Sequence, residues 1–202
     1  MSTTATAFEP VVPLGLTLRV ASLPLGDRQF AELCRDNPDL RLELTADREL
    51  IIMSPTGSKT GWRNSKLNQR LANWAERDGT GITFDSSTGF TFPNGAKRSP
   101  DASWVRLERW QALSPAEQEA FAPLSPDLVI ELRSPQDELG SLRAKMTEYV
   151  ANGVRLGMLI DTLEGKVHVY RPGAEPETVE RPRRLRGDPE VPSLELDLVD
   201  IL

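Results

Sequence analysis

Between Pro126 and Pro135 the chain reads Asp127-Leu128-Val129-Ile130-Glu131-Leu132-Arg133-Ser134. A short apolar run between prolines, rich in branched side chains, reads as a buried strand. Glu131 sits in the middle of it. A carboxylate on a buried strand costs free energy unless it is paired or bound to a metal. The segment therefore calls for a sheet, and the sheet for a site.

Side chains alternate across a strand. Asp127, Val129, Glu131 and Arg133 share one face, and Leu128, Ile130 and Leu132 share the other. Upstream, Ser99-Pro100-Asp101 opens a second strand over Asp101 to Val105, with Asp101, Ser103 and Val105 on one face. If the two strands pair, Asp101 and Glu131 face one another. Two close carboxylates repel unless a cation lies between them. Magnesium favours such a site: one or two carboxylates, several waters and a phosphate oxygen.

A third part follows on a helix expected over Asp137 to Asn152. Its buried stripe is Leu139, Leu142, Met146, Tyr149 and Val150, with Lys145 at one edge and Arg143 at the other. An edge lysine lays its stem on the core and swings its ammonium toward a neighbouring strand. There it orients or activates a water for attack on phosphorus. Arg133 stays charged, so it suits a phosphate clamp rather than a base.

The rest of the chain supplies a mixed α/β setting. A short helix is expected over Asp27 to Arg35, a hairpin over Leu40 to Ser54, and a helix over Thr60 to Arg77 with Leu67, Leu71 and Trp74 as its stripe. Thr60 and Asn64 fall on nearly the same face as Leu67. Phe84 to Phe92 reads as irregular extended chain, and Pro93-Asn94-Gly95 as a hairpin turn. Arg106 to Pro123 is a helical excursion started by Ser114-Pro115. Leu156 to Asp161 and Lys166 to Arg171 form another hairpin. This order points to an α/β (α+β) domain with one mixed sheet flanked by helices.

With 202 residues the chain suits one domain of ordinary size. We divide it into an arm and short helix (1–39), a core (40–173) and a C-terminal extension packed on that core (174–202). The single cysteine, Cys34, excludes an internal disulfide and a cysteine-rich zinc site. It fits a reducing, cytoplasmic compartment. No apolar run approaches the roughly 20 residues of a membrane span. Met1 to Ala7 lacks the basic start and apolar core of a signal peptide. The single histidine, His168, lies between two valines and reads as structural. No nucleophile elbow and no phosphate-binding glycine loop is present. A net charge of −6 argues against a strong non-specific grip on nucleic acid over the whole surface.

Several motifs together resemble the Uma-two family of the PD-(D/E)xK nuclease superfamily. They are Ser99-Pro100-Asp101, Pro126-Asp127-Leu128-Val129-Ile130-Glu131-Leu132-Arg133-Ser134-Pro135, Lys145-Met146 with Glu148-Tyr149 and Gly153, and Gly157 with Ile160-Asp161. Upstream the likeness takes in Met53-Ser54-Pro55-Thr56-Gly57, Thr60-Gly61, Arg63-Asn64, Asp85-Ser86-Ser87-Thr88-Gly89-Phe90 and Pro93-Asn94-Gly95. It covers about Leu40 to Gly173. The resemblance implies a restriction-endonuclease-like core, a mixed and mainly antiparallel sheet flanked by helices. It maps the metal ligands onto Asp101 and Glu131. It makes Lys145 a lysine moved from strand to helix, since Arg133 stands where the superfamily usually has lysine. Glu43 substitutes for an acid often found near the first core helix, where this chain offers only Thr60 and Asn64.

The resulting expectation is a DNA endonuclease using magnesium, with manganese as the alternative ion. Asp101 and Glu131 hold the metal, with the Leu132 carbonyl as a third ligand. Lys145 positions the water, and Glu43, Arg133 and Asn64 are accessory. Arg133, Arg98 and Lys97 are expected at the DNA backbone. A homodimer is expected because duplex cutting asks for two sites, with Phe84 to Phe92 and Leu194 to Leu202 as contact surfaces. The rival readings are a silent nuclease-fold module that binds nucleic acid or a partner protein, and a nuclease acting on RNA or single strands.

Overall fold

The computed structural model describes residues 15–202. Most of the arm expected over Met1 to Leu16 lies outside the described residues. Strand β1 (Leu16–Arg19) leads to α1 (Asp27–Asp36) and the hairpin β2 (Arg41–Leu44) and β3 (Glu49–Met53). The long helix α2 (Ser58–Asp78) follows, then β4 (Gly81–Asp85), β5 (Phe90–Thr91), β6 (Lys97–Arg98) and β7 (Ala102–Arg106). Two short helices, α3 (Leu107–Gln111) and α4 (Pro115–Gln118), precede β8 (Leu128–Arg133) and α5 (Leu139–Ala151). The chain closes with β9 (Leu156–Asp161), β10 (Lys166–Tyr170), β11 (Glu177–Glu180), β12 (Arg184–Arg186) and β13 (Glu195–Asp197).

The proline-bounded run becomes β8, inside a six-stranded sheet ordered β11-β10-β9-β8-β7-β4. It pairs antiparallel with β7 and parallel with β9. Parallel neighbours need a crossover, and α5 provides it. The remaining strand pairs are antiparallel. Leu128, Ile130 and Leu132 pack with Leu67, Leu71 and Trp74 of α2 in one core. Val129 packs with Met146 and Tyr149 of α5 in another. Each large side chain so buried contributes about 1.5–3 kcal/mol. Glu131 shares the face of Val129 and so emerges beneath α5.

A second sheet, ordered β1-β3-β2-β6-β5, carries Glu43 on β2. Strand β6 pairs with β2 through Leu44 and Lys97. The chain then runs through Ser99-Pro100-Asp101 straight into β7 of the first sheet. Asp101 thus lies at the joint between the two sheets. A small third sheet pairs β12 with β13. Around it, Leu185, Leu196, Leu198 and Ile201 are buried in the core beneath α2. No helix among the described residues is long and apolar enough to cross a membrane.

Three local expectations change. The stretch expected to be irregular begins with an ordered strand, because Gly81 to Asp85 pair residue by residue with Arg106 to Ala102. Helix α5 starts at Leu139 rather than Asp137. The Asp137 carboxylate instead accepts the Ser134 N–H at 2.7 Å and closes a turn. Most apolar residues proposed as dimer contacts serve the chain's own cores: Phe90 and Phe92 are buried beneath α5, and Leu194, Leu196, Leu198 and Ile201 beneath α2, while Val199 is exposed.

Candidate active site

Strand pairing brings the two acids together. Ala102 lies opposite Ile130, so Asp101, one residue before β7, falls opposite Glu131. Asp101 does not extend the strand itself. Its Oδ2 accepts the Leu132 N–H at 2.8 Å, so the side chain stands in for the missing strand partner. Its own carbonyl accepts a hydrogen bond from Asn68 Nδ2 at 2.9 Å, which ties it to α2.

Lys145 reaches the acids from α5. Its Nζ lies 3.0 Å from Glu131 Oε1 and 3.0 Å from Glu43 Oε1. One ammonium therefore bridges carboxylates from both large sheets. Tyr149, one helical turn further on, donates its O–H to the same Glu131 Oε1 at 2.8 Å. Glu43 is clamped in turn: Oε1 accepts the Ser99 N–H at 3.0 Å, and Oε2 accepts Arg98 Nη1 at 3.1 Å. Arg98 also donates through Nε to Glu148 Oε2 at 2.8 Å, and Asn94 Nδ2 donates to Glu148 Oε1 at 2.9 Å. The Pro93-Asn94-Gly95 turn is thereby pinned to α5.

The charges follow from this network. Burial pushes the Glu131 carboxyl up to about 7, against the pull of Lys145 and with help from Asp101 and Glu43. Burial also raises Asp101, opposed chiefly by the Leu132 N–H. For Glu43, burial acts upward, but Lys145, Arg98 and the Ser99 N–H outweigh it and hold the carboxyl below its usual range. Burial pulls Lys145 down, yet Glu131 and Glu43 overcome it and the ammonium is held above its ordinary range. The two carboxylates thus favour the ammonium form of Lys145, which fits the expected role of orienting water. An ammonium has three donors. Those directed at Glu43 and Glu131 leave one for the cleft.

That cleft has a volume of about 370 Å³ and lies between α2 and α5. Asp101, Glu131, Lys145 and Asn64 all line it, so four of the expected residues converge. Glu43 lies behind Lys145 and holds it. Arg133 is directed elsewhere: its Nη1 pairs with Asp161 Oδ2 at 2.8 Å across the β8–β9 register. Lys97 and Arg98 do not present free cations to solvent. Both are buried, Lys97 on Asp27 at 2.7 Å and Arg98 on Glu43 and Glu148. His168 lies on β10, with Nδ1 on Thr178 Oγ1 at 3.0 Å. Tyr149 was missed as a site residue. Its spacing of four from Lys145 on one helix face is the signal that could have found it.

A family model, Uma2, described as "Putative restriction endonuclease", matches residues 27–199. The chain belongs to the Uma2 family. The matched span includes Glu43, Asp101, Glu131, Lys145 and Tyr149. A solved structure from Anabaena variabilis, described as "a putative nuclease belonging to DUF820", has a TM-score of 0.71 to this chain. It is 22% identical and covers 88% of this chain and 97% of its own. The Uma2 chain thus shares the fold of that protein, a mixed α/β architecture with mostly antiparallel sheets flanked by helices. No curated protein matches.

Among the described residues of this Uma2 protein, no group of three or more His, Cys, Asp or Glu side chains is set to hold a metal. The cleft offers a different donor set. Asp101 Oδ1 and Glu131 Oε2 receive no hydrogen bond from a described residue, while their partner oxygens are occupied. Backbone N–H and C=O of one strand residue point to the same side. The Leu132 carbonyl therefore faces the side from which its N–H reaches Asp101. Two carboxylates and a carbonyl fit a hard cation that keeps several waters.

Proposed function

We propose that the protein is a metal-dependent endonuclease that hydrolyses phosphodiester bonds of DNA. The observation that carries this reading is the convergence of Asp101, Glu131 and Lys145 on one cleft, with Lys145 3.0 Å from Glu131. The family description supports the nuclease class and DNA as substrate.

Asp101 and Glu131, with the Leu132 carbonyl, would hold magnesium, with manganese as the alternative. Such an ion, when bound, polarises the phosphoryl oxygen and steadies charge on the leaving oxygen. Lys145 turns its remaining N–H into the cleft, where it orients the attacking water and meets phosphate charge. Glu43 fixes the ammonium, Tyr149 fixes the Glu131 carboxylate, and Arg98 fixes Glu43. Asn64 lines the far wall and steadies Ser86 through its amide. The catalytic unit in this reading is residues 40–173, with the extension 174–202 packed on it. Cutting both strands of a duplex asks for two such sites, so a homodimer is the assembly it calls for.

Calorimetric titration with magnesium tests the site without needing a substrate. Wild type should bind the ion, and Asp101→Asn should weaken binding by about 10-fold or more. A wild type that takes up no magnesium or manganese would overturn the reading.

A further inference from the structure

A nuclease cleft needs a cation for the phosphate oxygens that the metal does not face. The residues that sequence reasoning offered for this are committed elsewhere. Arg133 is paired with Asp161, Arg98 with Glu43 and Glu148, and Lys97 with Asp27. Lys145 gives two of its three donors to Glu43 and Glu131 and keeps one for the cleft, too few to clamp two phosphate oxygens. Among the described residues that line the cleft, the other cation is Arg41, at the head of β2. It is exposed and makes no ion pair with a described residue.

Arg41 is nevertheless held in place. Its Nη2 donates to the Ser86 carbonyl at 2.6 Å. Ser86 Oγ accepts from Asn64 Nδ2 at 3.3 Å, and Asn64 Oδ1 accepts from Asn68 Nδ2 at 3.1 Å. Asn68 Nδ2 also donates to the Asp101 carbonyl at 2.9 Å. A row of hydrogen bonds thus links the anchor of Arg41 to the backbone of the metal-site acid. A guanidinium has five donors in a planar fork. Most of them remain available to the cleft.

We propose that Arg41 binds a phosphate of the substrate, its free guanidinium N–H groups taking the non-bridging oxygens of the scissile phosphodiester. This rests on the nuclease reading. The fork matches two phosphate oxygens at once, which a lysine cannot do. As the water oxygen bonds to phosphorus, negative charge gathers on those oxygens. The P–O ester bond then breaks, its electron pair leaves on the sugar oxygen, and a proton originating from the water neutralises it. Arg41 exchanges no atom. It is a fixed cation whose attraction grows as the charge does.

The test compares wild type with Arg41→Gln and Arg41→Lys in two assays. Arg41→Gln removes both the charge and the guanidinium fork, and Arg41→Lys keeps the charge without the fork. The first assay is cleavage of a labelled duplex in magnesium, and the second is binding of a short labelled duplex in calcium. Arg41→Gln should lower kcat/KM by about 100-fold or more. It should weaken duplex binding by about 10-fold and reduce the salt slope by about one. Arg41→Lys should recover part of each loss. Thermal melting should stay at the wild-type value and magnesium affinity should not fall, which separates a substrate contact from a structural one. Cleavage and binding by Arg41→Gln equal to wild type would overturn the proposal. If wild type does not cut but Arg41→Gln still weakens binding, the nuclease reading falls and the phosphate contact stands. If neither cutting nor an Arg41-dependent affinity is seen, both fall.

Discussion

Lys145 is fixed from three directions. Glu131 and Glu43 each stand 3.0 Å from its Nζ, and the Tyr149 ring centroid lies 5.7 Å beneath. Losing either acid therefore frees the ammonium rather than simply deleting a charge. Tyr149→Phe removes one hydrogen bond from Glu131 and nothing from the core volume. It should cost about 10–100-fold in metal affinity or activity, as loss of a ligand-orienting partner does. Metal titration and cleavage on the same sample would show it. Glu131 also sets a pH signature. Its carboxyl is pushed to about 7 from an ordinary 4.5, so the folded state keeps a proton that the unfolded state releases. The metal-free protein is fully stabilised by this group below pH 4.5 and loses that contribution as pH rises through about 7. Glu131→Gln should flatten that fall in melting temperature. At this scale the two acids were legible because strand alternation fixes a face from sequence alone. Arg133 was not, because its partner Asp161 lies 28 residues on, and only the β8–β9 register brings them together.

Helices α2 and α5 grip opposite faces of the same sheet, and the cleft lies where their edges overhang β8. Their apolar stripes were plain in the sequence, and Leu67, Leu71 and Trp74 are buried where the helical period places them. Gly79 ends α2 in the left-handed conformation, at φ 71°, a position that favours glycine. Leu71→Ala on α2 should cost about 2–5 kcal/mol in a denaturant melt, because it opens a cavity beneath the cleft wall. Strand β4 was harder to read. Gly79-Thr80-Gly81 resembles a loop, and its order comes from pairing with β7 rather than from its own pattern. The same holds for Asp137, whose carboxylate closes a turn that periodicity alone would have assigned to the helix.

Across the whole molecule, the net charge of −6 coexists with a cleft in which Arg41 is the cation without an ion pair among the described residues. Lys97 and Arg98, expected at the DNA backbone, are spent on internal pairs instead. Charge totals cannot reveal this, because they do not say which cations are already paired. The mixed α/β class was legible from element order. The joint between the sheets was not, since it depends on β6 pairing with β2 before the chain crosses at Asp101. That joint brings Glu43 to Lys145 and completes the site. The most direct measurement is cleavage of supercoiled plasmid in magnesium by wild type, Glu131→Ala and Lys145→Ala at matched, folded concentrations. Wild type should nick and linearise the plasmid, and both variants should fall by about 100-fold or more. Equal cutting by all three, or no cutting by wild type, would contradict a phosphodiesterase built on Asp101, Glu131 and Lys145.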